Sequence, residues 1–219
     1  MADLLDYSGV QEFLTSLVPP RPDEMVSMEK YAEQHKFPII GPAAGYTCYQ
    51  IARLTGARRI FEMGSGYGYS TAWFARAVKE NLAQNGGSGG VVYHVVWDEQ
   101  LSKMAVRHLS RLGLDGLVEF HVAEAVETLQ GMQEPLDLIF NDIEKQAYPA
   151  SLPVIKQKLR PGGVLITDNI LWSGRVFDKQ DNSPSTEGVR EFTRLITQDP
   201  DWITSVLPVR DGVMVALRK

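Results

Sequence analysis

Two acids and an amide stand where two apolar runs end. Phe140-Asn141-Asp142-Ile143-Glu144-Lys145 closes one run, and Ile166-Thr167-Asp168-Asn169 closes the next. If these runs are neighbouring parallel strands, Asp142, Asp168 and Asn169 converge at one carboxyl edge. Two carboxylates and an amide oxygen, with no His or Cys nearby, form a hard-oxygen set. Such a set suits Mg2+ (or Mn2+ or Ca2+) over zinc, and it leaves positions open for water and substrate. Either acid alone reads better as a helix or loop cap; the set reads as a metal site. Lys145 lies three residues beyond Asp142 and can face the same site. A partly desolvated lysine beside a cation is a feasible base, although a single lysine is more commonly a solvated surface group.

A second constellation is Ile60-Phe61-Glu62-Met63-Gly64-Ser65-Gly66-Tyr67-Gly68-Tyr69-Ser70, a strand, a glycine turn and a helix start. Glycines admit positive φ and close approach of a ligand, and the helix N-terminus offers free N–H groups to a carboxylate or phosphate. The alternatives are a nicotinamide-binding turn and a merely structural one. Gly64, Gly66 and Gly68 give G-x-G-x-G, not the G-x-G-x-x-G of dinucleotide sites. Glu62 would crowd a pyrophosphate but suits a cationic amino-acid ligand such as S-adenosylmethionine, which carries a sulfonium and an ammonium.

The elements that must position these residues alternate. Residues 1–56 read as helical, with apolar faces at Val10/Phe13/Leu14/Leu17, Met25/Met28/Ala32 and Cys48/Ile51/Ala52, and Ser8 to Gln11 read as a capping box. Residues 57–219 read as a Rossmann-like core within a single domain spanning 1–219. Arg59–Met63, Val91–Trp97, Val118–Val122, Leu136–Asn141 and Val164–Thr167 read as buried strands separated by helices, which implies a mostly parallel sheet with helices on both faces. Trp202–Pro208 and Val213–Leu217 flank Asp211-Gly212, an antiparallel hairpin signal. Residues 85–90 read as a flexible loop, and 173–186 as polar and turn-rich.

The 219-residue composition, 44% hydrophobic and 22% charged, is that of a globular protein. A net charge of −5 without a basic cluster argues against a nucleic-acid partner. Cys48 is the only cysteine, which excludes an intrachain disulfide. The early acids Asp3 and Asp6 and the lack of a long apolar run predict no signal peptide, no membrane span and a cytoplasmic location. His35, His94, His108 and His121 show no ligand spacing and read as structural or surface residues.

At these motifs the sequence resembles the cation-dependent catechol and caffeoyl-CoA O-methyltransferase family, from about Arg21 to the C-terminus. Glu62 to Ser70 is similar to its donor loop E-x-G-x-x-x-G-Y-S, and Phe140 to Tyr148 to its F-x-D-x-x-K-x-x-Y segment. Asp168-Asn169-Ile170-Leu171-Trp172-Ser173-Gly174 looks like D-N-x-L-W-x-G, and Leu207 to Gly212 like the closing hairpin. Leu159-Arg160-Pro161-Gly162-Gly163 looks like the turn before the fifth strand of class I methyltransferases. The resemblance implies a seven-stranded class I methyltransferase fold, a homodimer, S-adenosylmethionine as donor and a small diol acceptor. It implies a divalent metal on Asp142, Asp168 and Asn169, and Lys145 as the base. Glu62, Gly64, Tyr69 and Ser70 are placed near the donor's methionine part, Ser65, Gly66 and Asp142 also in the donor site, and Trp97, Asp98, Ala123, Glu124 and Ala125 near its nucleoside. Ile40, Lys145 and Trp172 are placed at the acceptor.

Two departures stand out. The family's ribose-binding acid falls at Val96, with Asp98 two residues on as a substitute or as a helix cap. Asn141 is a polar residue at a usually apolar strand end. Against methyl transfer stand two rivals, a nicotinamide oxidoreductase and a donor-binding protein without turnover.

Overall fold

A computed structural model describes residues 7–85 and 89–219. The readings made on residues 1–6 and on the centre of the 85–90 loop lie outside the described residues. Strands β1 (Arg59–Met63), β2 (Val91–Val96), β3 (Val118–Val122), β4 (Leu136–Asn141), β5 (Leu159–Thr167), β6 (Trp202–Leu207) and β7 (Val213–Arg218) make one sheet, ordered β3-β2-β1-β4-β5-β7-β6. β1 to β5 pair in parallel, while β7 is antiparallel to both β5 and β6. The order reverses between β1 and β4, and ligands of such sheets bind at the strand ends beside that switch point.

Alternation along the strands builds two cores. Ile60, Leu138, Phe140, Val164 and Ile166 face a layer formed by α2 (Asp23–His35), α3 (Gly41–Leu54), α4 (Tyr69–Asn85) and α5 (Glu99–Arg111). Phe61, Met63, Ile139 and Leu165 face α6 (Ala125–Gly131), α7 (Tyr148–Lys158) and α8 (Pro184–Gln198). Both faces being covered explains why β1 is apolar from Ile60 to Met63 except for Glu62.

Three details depart from the sequence reading. α7 stops at Lys158 and β5 begins at Leu159, so Pro161-Gly162-Gly163 lies within the strand rather than ahead of it. Helix α8, with Val189, Phe192 and Ile196 buried on one face, follows the polar segment and was not anticipated. The first helix, α1 (Tyr7–Ser16), buries none of its residues; Phe13 and Leu17 are each 62% exposed. Ser8 lies inside α1, and the Gln11 side chain bonds to the C-terminal turn instead of closing a capping box. Among the described residues, no helix is long and apolar enough to cross a membrane.

Candidate active site

The carboxyl ends of four strands are laced by backbone bonds. The Ser65 N–H donates to Val95 O (2.9 Å), Asp142 N–H to Met63 O (3.0 Å), and Asp168 N–H to Asn141 O (3.2 Å). Gly64, at φ +87°, approaches the next turn so closely that a Cβ there would lie 2.6 Å from the Asp142 carbonyl oxygen. The glycine turn and the Asp142 turn therefore share a wall. A cleft of about 720 Å³ opens above them, lined by Phe37, Gly64, Asp142, Lys145, Trp172 and Arg210 among others. A smaller cavity shares Gly64, Gly66 and Asp142 with that cleft and reaches Ile40, Ser65, Tyr69 and Ser70.

On the glycine side, Glu62 is fully buried. Burial lifts its carboxyl to about 7, against the pull of the Ser70, Thr71 and Ser65 hydroxyls. Thr71 donates to Glu62 Oε2 (2.5 Å) and also meets His94 Nδ1 (3.0 Å), while Glu62 Oε1 has no hydrogen-bond partner. Burial holds the His94 imidazole down at about 3, which fits its expected structural role. An unpartnered buried carboxylate oxygen beside a positive-φ glycine turn fits the ammonium of S-adenosylmethionine. The Tyr69 hydroxyl is committed elsewhere, donating to Glu29 Oε1 (2.6 Å).

The expected nucleoside side lies at the ends of β2 and β3, joined by the Ala123 N–H donating to Val96 O (3.1 Å). Trp97 is 70% exposed there, and Val96 is buried. Asp98 Oδ1 accepts from the N–H groups of Gln100 (2.6 Å) and Leu101 (3.2 Å), capping α5. Glu124 caps α6 in the same manner by accepting from the Glu127 N–H, with Ala125 buried as the first residue of that helix. Trp97, Asp98, Ala123, Glu124 and Ala125 line neither of the two cavities above.

On the acid side, Lys145 is buried in a 3-10 turn and donates to Asp142 Oδ1 (2.6 Å) and Ile143 O (3.2 Å). Its ammonium also lies over the rings of Tyr148 (5.1 Å) and Trp172 (5.8 Å). The Tyr148 hydroxyl donates to the main-chain oxygen of Asp168 (3.1 Å), with that of Asn141 3.4 Å away, tying β4 to β5. Asp168 is 1% exposed; burial and then the neighbouring Asp142 raise its carboxyl to about 7, with Arg210 pulling the other way. Arg210 Nη1 donates to Asp168 Oδ2 (2.8 Å), while Asp168 Oδ1 has no partner. Asn169, at φ +59°, donates its Nδ2 to Asp211 Oδ2 (3.0 Å), which leaves its amide oxygen for another ligand.

Among the described residues there is no cluster of three His, Cys, Asp or Glu that could hold a metal ion, and the expected set itself contains only two acids. Its third donor is an amide. The unpartnered Asp168 Oδ1 and the freed Asn169 oxygen nevertheless fit a hard cation. The side chain of Asn141 is buried with no partner for either polar atom, and nothing in the structure explains its presence.

Sequence reasoning missed several residues of the site. Arg210 and Asp211 read only as a turn, yet Asp211 also accepts from the Ser173 N–H (2.5 Å), and its main-chain oxygen from the Leu171 N–H (2.9 Å). Of the non-glycine residues at positive φ, Asn169, Trp172, Ser173 and Arg210 all lie in the two loops at the cleft. Such strain gathers at functional sites. The D-G pair was a visible signal for the turn, but nothing local marks what it touches.

The family described as O-methyltransferase matches residues 24–219. A catechol O-methyltransferase from Niastella koreensis is 26% identical over 224 residues, covering 97% of this chain and 98% of that protein. An O-methyltransferase from Bacillus cereus, solved in complex with SAH, superposes with a TM-score of 0.83 at 29% identity, covering 96% of this chain and 97% of that one. TomG from Streptomyces achromogenes, an O-methyltransferase involved in tomaymycin synthesis and solved with SAM, gives 0.84 at 25% identity with full coverage of both chains, 100% and 100%.

Proposed function

The chain belongs to the O-methyltransferase family and is an S-adenosylmethionine-dependent methyltransferase, and on that premise we propose that it methylates one hydroxyl of a small vicinal diol of the catechol type, with a divalent cation on Asp142, Asp168 and Asn169. The observation that carries this reading is the shared wall: Gly64 of the donor turn touches the main chain of Asp142, whose side chain pairs with Lys145. Family membership removes the nicotinamide reading.

A divalent cation, when bound, supplies Lewis acidity that makes a chelating hydroxyl more acidic. Lys145, when neutral, accepts the hydroxyl proton on Nζ, and Asp142 Oδ1 beside it stabilises the ammonium that forms. The acceptor oxygen then forms a bond to the donor's methyl carbon as the carbon–sulfur bond breaks, its electron pair passing to sulfur. Glu62 Oε1, buried without a partner, would hold the donor's ammonium and so help to position its methyl group toward the acceptor. Ile40 and Trp172 wall the cavities and keep water from the charge-neutralising step.

The exposed Phe13 on α1 and Leu17 just beyond it support a homodimer; a monomer mass by light scattering at micromolar concentration would remove that part. The main reading is tested by methyl transfer to catechols and to their monohydroxylated analogues, with and without EDTA. Turnover confined to the diols and abolished by EDTA supports it. Full activity in excess EDTA, or equal turnover of the two acceptor sets, overturns it.

A further inference from the structure

The turn between β6 and β7 places a permanent cation against one of the acids of the site. Arg210 sits at φ +51°, a region that L side chains other than Asn and Asp rarely enter. Three contacts with α1 hold it there. The Arg210 N–H donates to Gln11 Oε1 (2.6 Å), Gln11 Nε2 donates to Pro208 O (3.2 Å), and the Tyr7 hydroxyl donates to Arg210 O. α1 buries none of its described residues, and this clamp ties the helix to the β6–β7 turn. Its consequence is the direction of the side chain, which runs from a part-exposed turn down to Asp168 Oδ2.

Each side-chain acid of the set thus already faces a positive charge, Asp142 from Lys145 and Asp168 from Arg210. The two cations differ. Lys145 carries a compact ammonium on a flexible stem, whereas Arg210 presents a planar guanidinium, a fixed charge. Arg210 also holds one oxygen of Asp168, leaving Oδ1 as the unpartnered one. A like charge at a largely desolvated carboxylate is weakly screened and opposes entry of a second cation.

We propose that Arg210 is a built-in counter-cation of the site, clamped by α1, which competes with a divalent ion for Asp168 and keeps the site's affinity for that ion low. The inference rests on the reading of Asp142, Asp168 and Asn169 as a divalent-ion site. It assigns α1 a role in setting metal affinity, and it makes the divalent ion a weakly held, exchangeable component of the enzyme.

The test is direct binding of Mn2+ to the full-length protein, by calorimetry and by the electron paramagnetic resonance signal of the free ion, at fixed salt and pH. Arg210→Gly removes the guanidinium and suits the positive φ; Arg210→Gln removes the charge but keeps a hydrogen-bonding side chain. Both should bind Mn2+ at least tenfold more tightly than the wild type. Arg210→Lys, which keeps a single charged donor for Oδ2, should stay within threefold of it. S-adenosylmethionine affinity reports that each variant is folded and should not change. Equal or weaker Mn2+ binding by the neutral variants, with measurable binding by the wild type, overturns the role of Arg210 and leaves the metal reading standing. No Mn2+ binding by the wild type or the neutral variants at millimolar ion, with the donor still bound, overturns both.

Discussion

Gly188 of α8 lies against the main chain of Lys145, where a Cβ would stand 2.3 Å from the lysine carbonyl oxygen. A real Cβ cannot occupy that position, so the helix can seat the lysine turn only with glycine at 188. Gly188→Ala must push α8 or the 145–147 turn outward. Overpacking of this kind costs about 1–3 kcal/mol. The expected result is a melting temperature lower by several degrees and a kcat reduced well beyond any change in donor affinity. A variant with wild-type melting temperature and kcat would show that the contact does not position Lys145.

Lys145 itself is testable through the pH dependence of the rate. Its ammonium donates to Asp142 Oδ1 at 2.6 Å and lies 5.1 Å from the Tyr148 ring centroid. General-base catalysis contributes typically about 10²–10⁴-fold. Lys145→Ala should lower the rate most near neutral pH and progressively less at high pH, where the acceptor ionises unaided. A rate profile parallel to that of the wild type across the whole range would remove Lys145 as the base.

The buried Glu62 gives a stability signature. Its carboxyl, ordinarily near 4.5, sits at about 7 in the folded chain. Between those values the folded state holds a proton that the unfolded state has released. Stability from this group is therefore full below about 4.5 and is lost as pH rises through about 7. Without donor, the wild type should lose stability across that window, and Glu62→Gln should lose less. Saturating S-adenosylmethionine should flatten the wild-type slope, because its ammonium favours the ionised carboxylate. Equal slopes for the wild type and Glu62→Gln in denaturant titrations from pH 4.5 to 8 would refute the assignment.

What the sequence disclosed follows a physical divide. β1, β3 and β4 are buried on both faces or fall between turn signals, so their apolar runs set their limits, and the observed bounds match the expected ones. The strand-end acids followed as soon as β4 and β5 became neighbours, since parallel pairing brings Asn141 opposite Thr167. The contribution of the C-terminal turn was invisible for the converse reason. Arg210 meets Asp168 and Asp211 meets Asn169 across 42 residues of sequence, through an antiparallel strand whose register no local pattern encodes. α1 misled because its apolar spacing is helical but its partner surface is not the core. Gly188 was unreadable because a glycine in mid-helix shows its purpose only once the Lys145 turn lies against it.

The ribose side offers the sharpest discrimination, because Asp98 has a demonstrated structural role and a proposed ligand role that use different oxygens. Oδ1 caps α5 by accepting from the N–H groups of Gln100 and Leu101, which leaves Oδ2 without cap duty. Val96, where the family acid is expected, is apolar and buried, so an active enzyme needs another acceptor for the ribose hydroxyls. We propose that Asp98 Oδ2 is that acceptor. Asp98→Ala should cost about 1 kcal/mol as a lost cap, whatever else the residue does. Asp98→Asn separates the roles: the amide oxygen still caps the helix, while an NH2 group replaces the outward oxygen. Charge-assisted hydrogen bonds are worth about 1.5–3 kcal/mol, so losing this one should weaken S-adenosylmethionine binding about 10- to 100-fold. The melting temperature of the unliganded protein should stay at the wild-type value. Val96→Glu, which restores an acid at the family position, should recover part of the lost affinity when combined with Asp98→Asn. If calorimetry returns the wild-type dissociation constant for Asp98→Asn, Asp98 is a helix cap alone, and the ribose is held by the main chain around Trp97 and Ala123.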